Sequence, residues 1–229
     1  MQNDQPAHRV SSRRKTPSAK SLITLFILIL LPLTLFGYLA EDVATNEVFS
    51  FDAPILLYLH QHASPVTDTA MGWLSWLGSG RALIPFEALI FILLVVNHKH
   101  RHAMFWVFAV GGATVLNLLA KQVFARARPD LWISILPEPT FSFPSGHAMQ
   151  SMAVACGLVA LVWTTRWRWP VMILAAVFVP VVGLSRIYLG VHYPSDILAG
   201  WAASFAWVIG LRAVFLQPRR TSADDVQAL

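Results

Sequence analysis

The sequence has few charged residues and only one cysteine. Asp, Glu, Lys and Arg make up 13% of its 229 residues, while hydrophobic residues reach 56%. In soluble domains about a quarter of the residues are charged, so this composition excludes an ordinary soluble fold and indicates an integral membrane protein. Because Cys156 stands alone, no internal disulfide can form, and its neighbours Ala and Gly predict a small packing residue.

Two further absences narrow the function. No pair of histidines or acids has the spacing of a metal motif such as His-Glu-x-x-His, so we expect no metal and no cofactor. The formal net charge of +5 is divided among several loops, which argues against a nucleic-acid partner. The densest basic group, residues 13–15, lies in a Ser- and Pro-containing tail that is predicted to be disordered and to meet anionic lipid headgroups. Nothing indicates an obligate protein partner.

Long apolar runs predict an all-α, polytopic membrane protein. About 20 residues are needed to cross about 30 Å of hydrocarbon, and five runs approach that length. A sixth run is shorter, but it reaches this length if the helix continues back through Trp73 and Leu77 with a bend at residues 78–80. The six predicted transmembrane helices are residues 21–40, 82–96, 103–124, 147–163, 171–189 and 197–216.

Lys and Arg predict the orientation, because short loops rich in these residues stay in the cytoplasm. With six spans and both termini cytoplasmic, 12 of the 17 cations fall inside and nine of the 12 acids fall outside. The membrane domain then comprises residues 21–216. It lies between a basic cytoplasmic tail, residues 1–20, and a C-terminal cytoplasmic tail, residues 217–229. The five outer cations are Arg81, Lys121, Arg126, Arg128 and Arg186.

A first polar cluster stands at the outer end of the third span. Lys121 and Arg128 are seven residues apart, so on a helix they would share nearly one face at a distance of about 10 Å. Pro129 disfavours helical conformation at Arg128 and places that arginine where the span ends. Both side chains can then converge on one anion. Arg126 points to another face, and we interpret it as a solvated or headgroup-facing residue.

A second cluster, Pro144-Ser145-Gly146-His147, predicts the start of a helix with Ser145 as its N-cap. The amides of Ser145, Gly146 and His147 would be unpaired donors at the positive end of the helix dipole, which suits an anion. His147 would lie beside that anion. An ordinary Ser-capped helix is the alternative, and the tetrapeptide alone does not separate the two.

The third cluster is the most specific. Ser185 and Arg186 end the fifth span, and His192 precedes a helix that begins near Pro194 and carries Asp196 in its first turn. The Asp196 carboxylate can accept the Nδ1 proton of His192, which leaves the Nε2 lone pair free. Such an imidazole is a nucleophile or a base. A structural ion pair is the alternative, but it is disfavoured because all three clusters end on one membrane face.

The pattern Lys-x6-Arg-Pro, Pro-Ser-Gly-His and Ser-Arg-x5-His-x3-Asp resembles the signature of the type 2 phosphatidate phosphatase superfamily. That superfamily also includes bacterial lipid pyrophosphate phosphatases and the vanadium-dependent haloperoxidases. The resemblance implies that His192 forms a phosphohistidine, that Asp196 orients it, and that His147 protonates the leaving oxygen. The Lys and Arg distribution places the three clusters on the outer face, and together with this resemblance it predicts a bacterial inner membrane with the site on its periplasmic side. The phosphate-binding residues that the resemblance implies are Lys121, Arg128, Ser145, Gly146 and Arg186.

The expected substrate is a lipid phosphate or pyrophosphate whose tail stays in the bilayer. Phosphoryl transfer leaves the protein mainly positioning and charge stabilisation, which three cations and helix-start amides can supply without Mg²⁺. We place hydrolysis of undecaprenyl pyrophosphate to the monophosphate first. The alternatives are a broad phosphatase for phosphatidylglycerol phosphate and phosphatidate, and a phosphatase or phosphotransferase acting on lipid A. The apolar spans argue against a haloperoxidase.

Two other features carry weaker predictions. Residues 51–62 have an amphipathic character, with Asp52 on the polar side, and would either lie along the outer interface or simply connect two spans. Glu87 lies in an apolar run, where an acid is functional by default. Its nearest cation, Arg81, is six residues away, which is not a same-face helical spacing. We therefore expect a structural partner for Glu87 in another span.

Overall fold

The computed structural model describes residues 18–47 and 49–216. Within these ranges the chain forms eight α-helices and no strand, which confirms the all-α class. The predicted tails lie outside the described residues except for residues 18–20, of which Ala19 and Lys20 already belong to the first helix. The helices are α1 (Ala19–Ala44), α2 (Asp52–Gln61), α3 (Pro65–Leu77), α4 (Gly80–Val96), α5 (His100–Phe124), α6 (Gly146–Val162), α7 (Arg168–Tyr188) and α8 (Pro194–Phe215).

Five helical segments are long and apolar enough to cross a membrane. They are α1, α5, α7, α8 and the 32-residue stretch Pro65–Val96, which α3 and α4 form together. The predicted bend is confirmed, because α3 ends at its C-cap Gly78 and Ser79 caps α4. The remaining predicted span, α6, is apolar but only 17 residues long. These segments make the chain an integral membrane protein.

Local sequence signals position the helix starts that matter for function. Ser145 is the N-cap of α6, and its side chain accepts a hydrogen bond from the Ala148 amide at 3.4 Å. Pro194 is the first residue of α8, where its fixed φ and missing N–H suit a helix start. Asp196 therefore lies in the first turn of α8, as the sequence predicts.

Helices α6 and α8 form the centre of the bundle, with α5 and α7 packed around them and α1 against α8. Small residues allow this close approach, as is usual between membrane helices. A Cβ added at Gly200 of α8 would lie 3.0 Å from both the Ala148 Cβ and the Ser145 carbonyl oxygen. Cys156 packs beside the buried Phe105 and Val208, which confirms the predicted packing role.

Four helix ends converge on one side of this bundle. They are the C-terminal end of α5, the N-terminal end of α6, the C-terminal end of α7 and the N-terminal end of α8. The loop of residues 125–145 joins the first pair, and a short turn at residues 189–193 joins the second. The three polar clusters lie at these ends, so the fold brings them together.

Candidate active site

A cavity of about 280 Å³ lies where the four helix ends meet. Six of the eight site residues predicted from the sequence line it: Lys121, Arg128, Gly146, His147, Arg186 and His192. The other two, Ser145 and Asp196, are fully buried beside it. All three clusters therefore contribute to one cavity.

His192 is held between a carboxylate and a guanidinium. The turn that carries it contains Gly190, whose φ of +69° is unfavourable for other residues. The imidazole Nδ1 lies 3.3 Å from Oδ2 of Asp196, which also accepts the Tyr193 amide at 2.9 Å. The Nε2 atom lies 3.2 Å from Nη1 of Arg128 at the cavity. A proton on Nδ1, shared with Asp196, leaves the Nε2 lone pair directed away from the carboxylate.

Burial lowers the pKa of His192 to about 3, although the hydrogen bond and charge of Asp196 act in the opposite direction. The imidazole is therefore neutral at physiological pH, as a nucleophile must be. We expect the His192 ring resonances of histidine-labelled protein in detergent to stay unchanged when the pH falls from 8 to 5. In the unfolded chain a histidine side chain takes up a proton near pH 6.5. The free energy of unfolding should therefore fall as the pH drops from about 6.5 toward about 3. A His192 titration midpoint near 6.5 would contradict this account.

Arg128 is oriented by backbone carbonyl groups. Its Nε donates to the Thr140 oxygen at 2.7 Å, and its Nη1 donates to the Val191 oxygen at 2.5 Å. The Lys121 ammonium, on the last turns of α5, likewise donates to the Phe141 carbonyl. Donors fixed in this way need little reorganisation when an anion binds, which is how charge is stabilised in transition states.

Arg186 is the most buried of the three cations, with 2% of its surface exposed. It donates to the Ser75 hydroxyl at 2.5 Å and to Oε1 of Glu138 at 2.6 Å. Its Nε is buried and has no hydrogen-bond partner among the described residues. Arg186 also lines the cavity, where a guanidinium is suited to an anionic ligand. Among residues 18–47 and 49–216, no group of three His, Cys, Asp or Glu side chains is placed to hold a metal ion.

The start of α6 differs from the sequence prediction at one atom. The Ser145 amide donates to the backbone oxygen of Asp196 at 3.2 Å, so the prediction that this amide is unpaired is wrong. The cause is the close packing of α6 on α8, which supplies an acceptor that the local sequence does not reveal. Gly146 and His147 do face the cavity. A contact between phosphate and the Ser145 hydroxyl stays a prediction.

Arg126 does not face solvent or lipid headgroups, and that interpretation is wrong. It donates to Oδ1 of Asp196 at 2.6 Å and to Oδ2 of Asp52 at 3.0 Å. The prediction assumed one helix from Lys121 to Arg128. In the structure α5 ends at Phe124, and its C-cap has a left-handed φ of +44° that redirects the chain. Arg126 thereby lies between α2 and α8.

Asp52 belongs to the same network rather than to a polar face at the interface. It is 1% exposed, and it accepts the Ser195 amide at 2.9 Å as well as the Ser195 hydroxyl. Helix α2 therefore supports the beginning of α8, where Asp196 stands. Residues 52–61 form a helix, but the acid that the sequence places on its polar side points inward.

Two further residues of the site were missed in the sequence. Ser142 is fully buried and donates to Oδ2 of Asp196, while its Oγ lies 3.3 Å from Nδ1 of His192. Glu138 pairs with Arg186. Both lie in the irregular loop of residues 125–145, where no periodicity shows which side chains turn inward.

Similarity to known proteins agrees with this arrangement. Residues 102–220 match the sequence model of the PAP2 superfamily. Phosphatidylglycerophosphatase B of Bacillus subtilis is 32% identical over 193 residues, which are 81% of this chain and 92% of that protein. An undecaprenyl-diphosphatase of Sulfolobus acidocaldarius is 31% identical over 189 residues, 80% of this chain and 86% of that protein.

A solved structure shows the same fold. The crystal structure of a transmembrane PAP2-type phosphatidylglycerolphosphate phosphatase from Bacillus subtilis matches with a TM-score of 0.77 at 26% identity. It covers 86% of this chain and 100% of that one. The fold and site define a membrane lipid phosphatase. This chain belongs to the PAP2 superfamily, which confirms the resemblance found in its sequence.

Proposed function

We propose that the protein removes the terminal phosphate of a membrane lipid through a phosphohistidine on His192, at the outer face of the membrane. The observation that carries this proposal is the buried His192–Asp196 pair, with Nε2 at a cavity that also receives Lys121, Arg128 and Arg186. A nucleophile and three cations around one cavity provide what phosphoryl transfer needs from a protein.

In the first step, Nε2 of His192 attacks phosphorus and the bond from phosphorus to the lipid oxygen breaks. His147 donates a proton to that leaving oxygen. The bound phosphate dianion stabilises the protonated imidazole of His147 before the transfer. Arg128, which lies beside Nε2 in the structure, contacts the phosphoryl oxygens once the substrate is bound, together with Lys121 and Arg186. The lipid leaves as an alcohol or a lipid monophosphate.

In the second step, water attacks the phosphohistidine. His147 accepts a proton from this water, the bond from Nε2 to phosphorus breaks, and inorganic phosphate leaves. Asp196 keeps the Nδ1 proton in place throughout and stabilises the positive charge that develops on the His192 ring.

The connectivity supports six crossings although α6 is short. The ends of both α5 and α7 lie at the cavity, and α7 is long enough to cross the membrane. Its beginning must then lie on the opposite face, where residues 163–167 join it to α6. Helix α6 therefore crosses the membrane from the face with the cavity to the opposite face. The distribution of Lys and Arg supports an outward-facing cavity and cytoplasmic termini.

The substrates to distinguish are undecaprenyl pyrophosphate, which the sequence favours, and phosphatidylglycerol phosphate or phosphatidate. The names of the relatives include both a phosphatidylglycerophosphatase and an undecaprenyl-diphosphatase, at nearly equal identity. The three cations address only the terminal phosphate that all these lipids share. Lipid A phosphates, with transfer to water or to an acceptor hydroxyl, present the same group.

Phosphate release by the purified protein from a matched panel of these three lipids tests the proposal. Release should continue in excess EDTA, because three side-chain cations supply the positive charge at the cavity. Loss of activity in EDTA that Mg²⁺ restores would contradict the site, and so would the absence of phosphate release from every lipid.

A further inference from the structure

A further polar cluster, distinct from the three that the sequence shows, lies on the membrane side of the cavity. Gln150 of α6 donates from Nε2 to Oε1 of Glu87 on α4 at 2.7 Å, and its Oε1 accepts from the Thr114 hydroxyl on α5 at 2.9 Å. The predicted partner of Glu87 in another span is thus Gln150. Polar groups within a bilayer are costly, so a cluster of them indicates a functional role. We call Glu87, Gln150 and Thr114 the inner cluster.

The inner cluster belongs to the same cavity as the two histidines. Thr114 and Gln150 both line it. Gln150 follows His147 by three residues on α6, which is about one helical turn deeper in the membrane. Thr114 precedes Lys121 by seven residues on α5, about 10 Å deeper. The cavity therefore continues from the phosphate-binding cations, past His147, to the inner cluster.

Among the described residues, the inner end of the cavity offers acceptors and no cation. Both donor hydrogens of Gln150 are directed to acceptors, because Nε2 approaches Glu87 and, at 3.4 Å, the Val110 oxygen. The Gln150 carbonyl keeps one lone pair beyond its bond from Thr114. The cavity lining between Thr114 and Lys121 also includes Asn117, whose Nδ2 donates to the Pro144 oxygen, and the apolar Leu118; Ile84 of α4 lines the cavity too, and both Ile84 and Leu118 are exposed.

This chemistry discriminates between leaving groups. A hydroxyl group can donate to the Gln150 carbonyl. In a pyrophosphate the second phosphate is bonded directly to the scissile one, so it would lie beside the Gln150 carbonyl and meet no positive charge there, which is unfavourable in a site of low dielectric. In phosphatidylglycerol phosphate the second phosphate is separated from the scissile one by the glycerol, so the glycerol hydroxyl occupies this position instead. Ile84 of α4 and Leu118 of α5 line the cavity and are exposed, so they offer apolar surface to the lipid tail.

We propose that Gln150, oriented by Glu87 and Thr114, is a subsite for a hydroxyl group on the leaving-group side of the scissile bond. Lipids whose terminal phosphate is carried by a glycerol or a sugar are then hydrolysed faster than lipid pyrophosphates, which reverses the order expected from the sequence. The proposal rests on the proposed function, because it takes the His147 side of the phosphate as the leaving-group side.

The test compares three substrates with the purified full chain in detergent micelles. They are phosphatidylglycerol phosphate, its analogue without the free hydroxyl of the terminal glycerol, and undecaprenyl pyrophosphate. Loss of one neutral hydrogen bond should lower kcat/KM for the analogue by about tenfold in the unmodified protein. The Gln150→Leu variant should hydrolyse phosphatidylglycerol phosphate about tenfold more slowly and the other two lipids within about twofold of the unmodified protein.

Matched variants separate recognition from folding. Gln122→Leu makes the same change at an exposed position of α5 outside the cavity lining, and it should leave all three rates unchanged. Thr114→Val removes only one hydroxyl and should give a smaller loss that is again confined to the hydroxyl-bearing lipid. If Gln150→Leu does not fold, the subsite is still tested by the Thr114→Val variant and by the rates of the unmodified protein on the analogue and its parent lipid.

Two outcomes would overturn the subsite. One is equal turnover of the analogue and its parent lipid by the unmodified protein. The other is an equal loss on all three lipids in folded Gln150→Leu or Thr114→Val protein. Failure of the proposed function would give a different result. In that case no lipid would show phosphate release that depends on His192.

Discussion

Replacing His192 with asparagine is expected to lower kcat for phosphate release by about 10⁴-fold to 10⁶-fold, the range found when a nucleophile of a catalytic unit is removed. The asparagine amide can keep a hydrogen bond to Asp196, but it offers no nucleophilic nitrogen to phosphorus. Substrate binding should change little, because the cations Lys121, Arg128 and Arg186 remain. The measurement is single-turnover phosphate release together with binding of the substrate to the variant.

His62→Asn is the matched control for this variant. His62 is exposed at the end of α2, and among the described residues its side chain hydrogen-bonds only to the Tyr58 oxygen within its own turn. Its replacement should leave kcat unchanged. A His192→Asn protein that retains more than about one tenth of the activity would show that another group attacks phosphorus.

Replacing Arg126 with methionine is expected to destabilise the protein by about 3 kcal/mol and to lower kcat. It leaves the carboxylates of Asp52 and Asp196, which are 1% and 0% exposed, without their shared cation. Removing one partner of a buried ion pair costs about 3–5 kcal/mol, and the lower value applies because Arg126 is itself 14% exposed. The measurement is unfolding in detergent micelles, with kcat determined for the folded fraction.

Two further variants make the Arg126 result specific. Arg81→Met removes an exposed guanidinium from α4 and should change stability by less than about 0.5 kcal/mol. Asp52→Asn combined with Arg126→Met removes one of the two uncompensated charges and should recover part of the lost stability. A folded Arg126→Met protein with unchanged kcat would show that Arg126 does not help to position Asp196.

The parts of the site that could be predicted from sequence are those fixed by local rules. The N-cap at Ser145, the helix start at Pro194 and the break at residues 78–80 depend on residues adjacent in the chain. The contact between His192 and Asp196 could be predicted from their spacing, because His192 lies just before α8 and Asp196 lies in the first turn of that helix. Apolar runs of about 20 residues identify most of the spans in the same local way.

The supporting contacts could not be predicted, because they join residues that are distant in sequence. Asp52 and Ser195 are 143 residues apart, and Arg186 and Ser75 are 111 apart. The position of Arg126 is a further case. The predicted span ends at residue 124, as α5 does, but helical geometry continued to Arg128 places Arg126 on the wrong side, because the left-handed conformation of Ala125 redirects the chain. Tertiary packing decides such positions.

The most direct test of the central claim is to trap the phosphorylated enzyme. Purified protein is mixed with a lipid whose terminal phosphate is labelled, quenched within milliseconds under alkaline conditions that preserve phosphohistidine, and digested for mass spectrometry. We expect the label on the peptide that contains His192, and on no other peptide, with none in His192→Asn protein. Label on His147, or turnover without any labelled protein intermediate, would contradict the account.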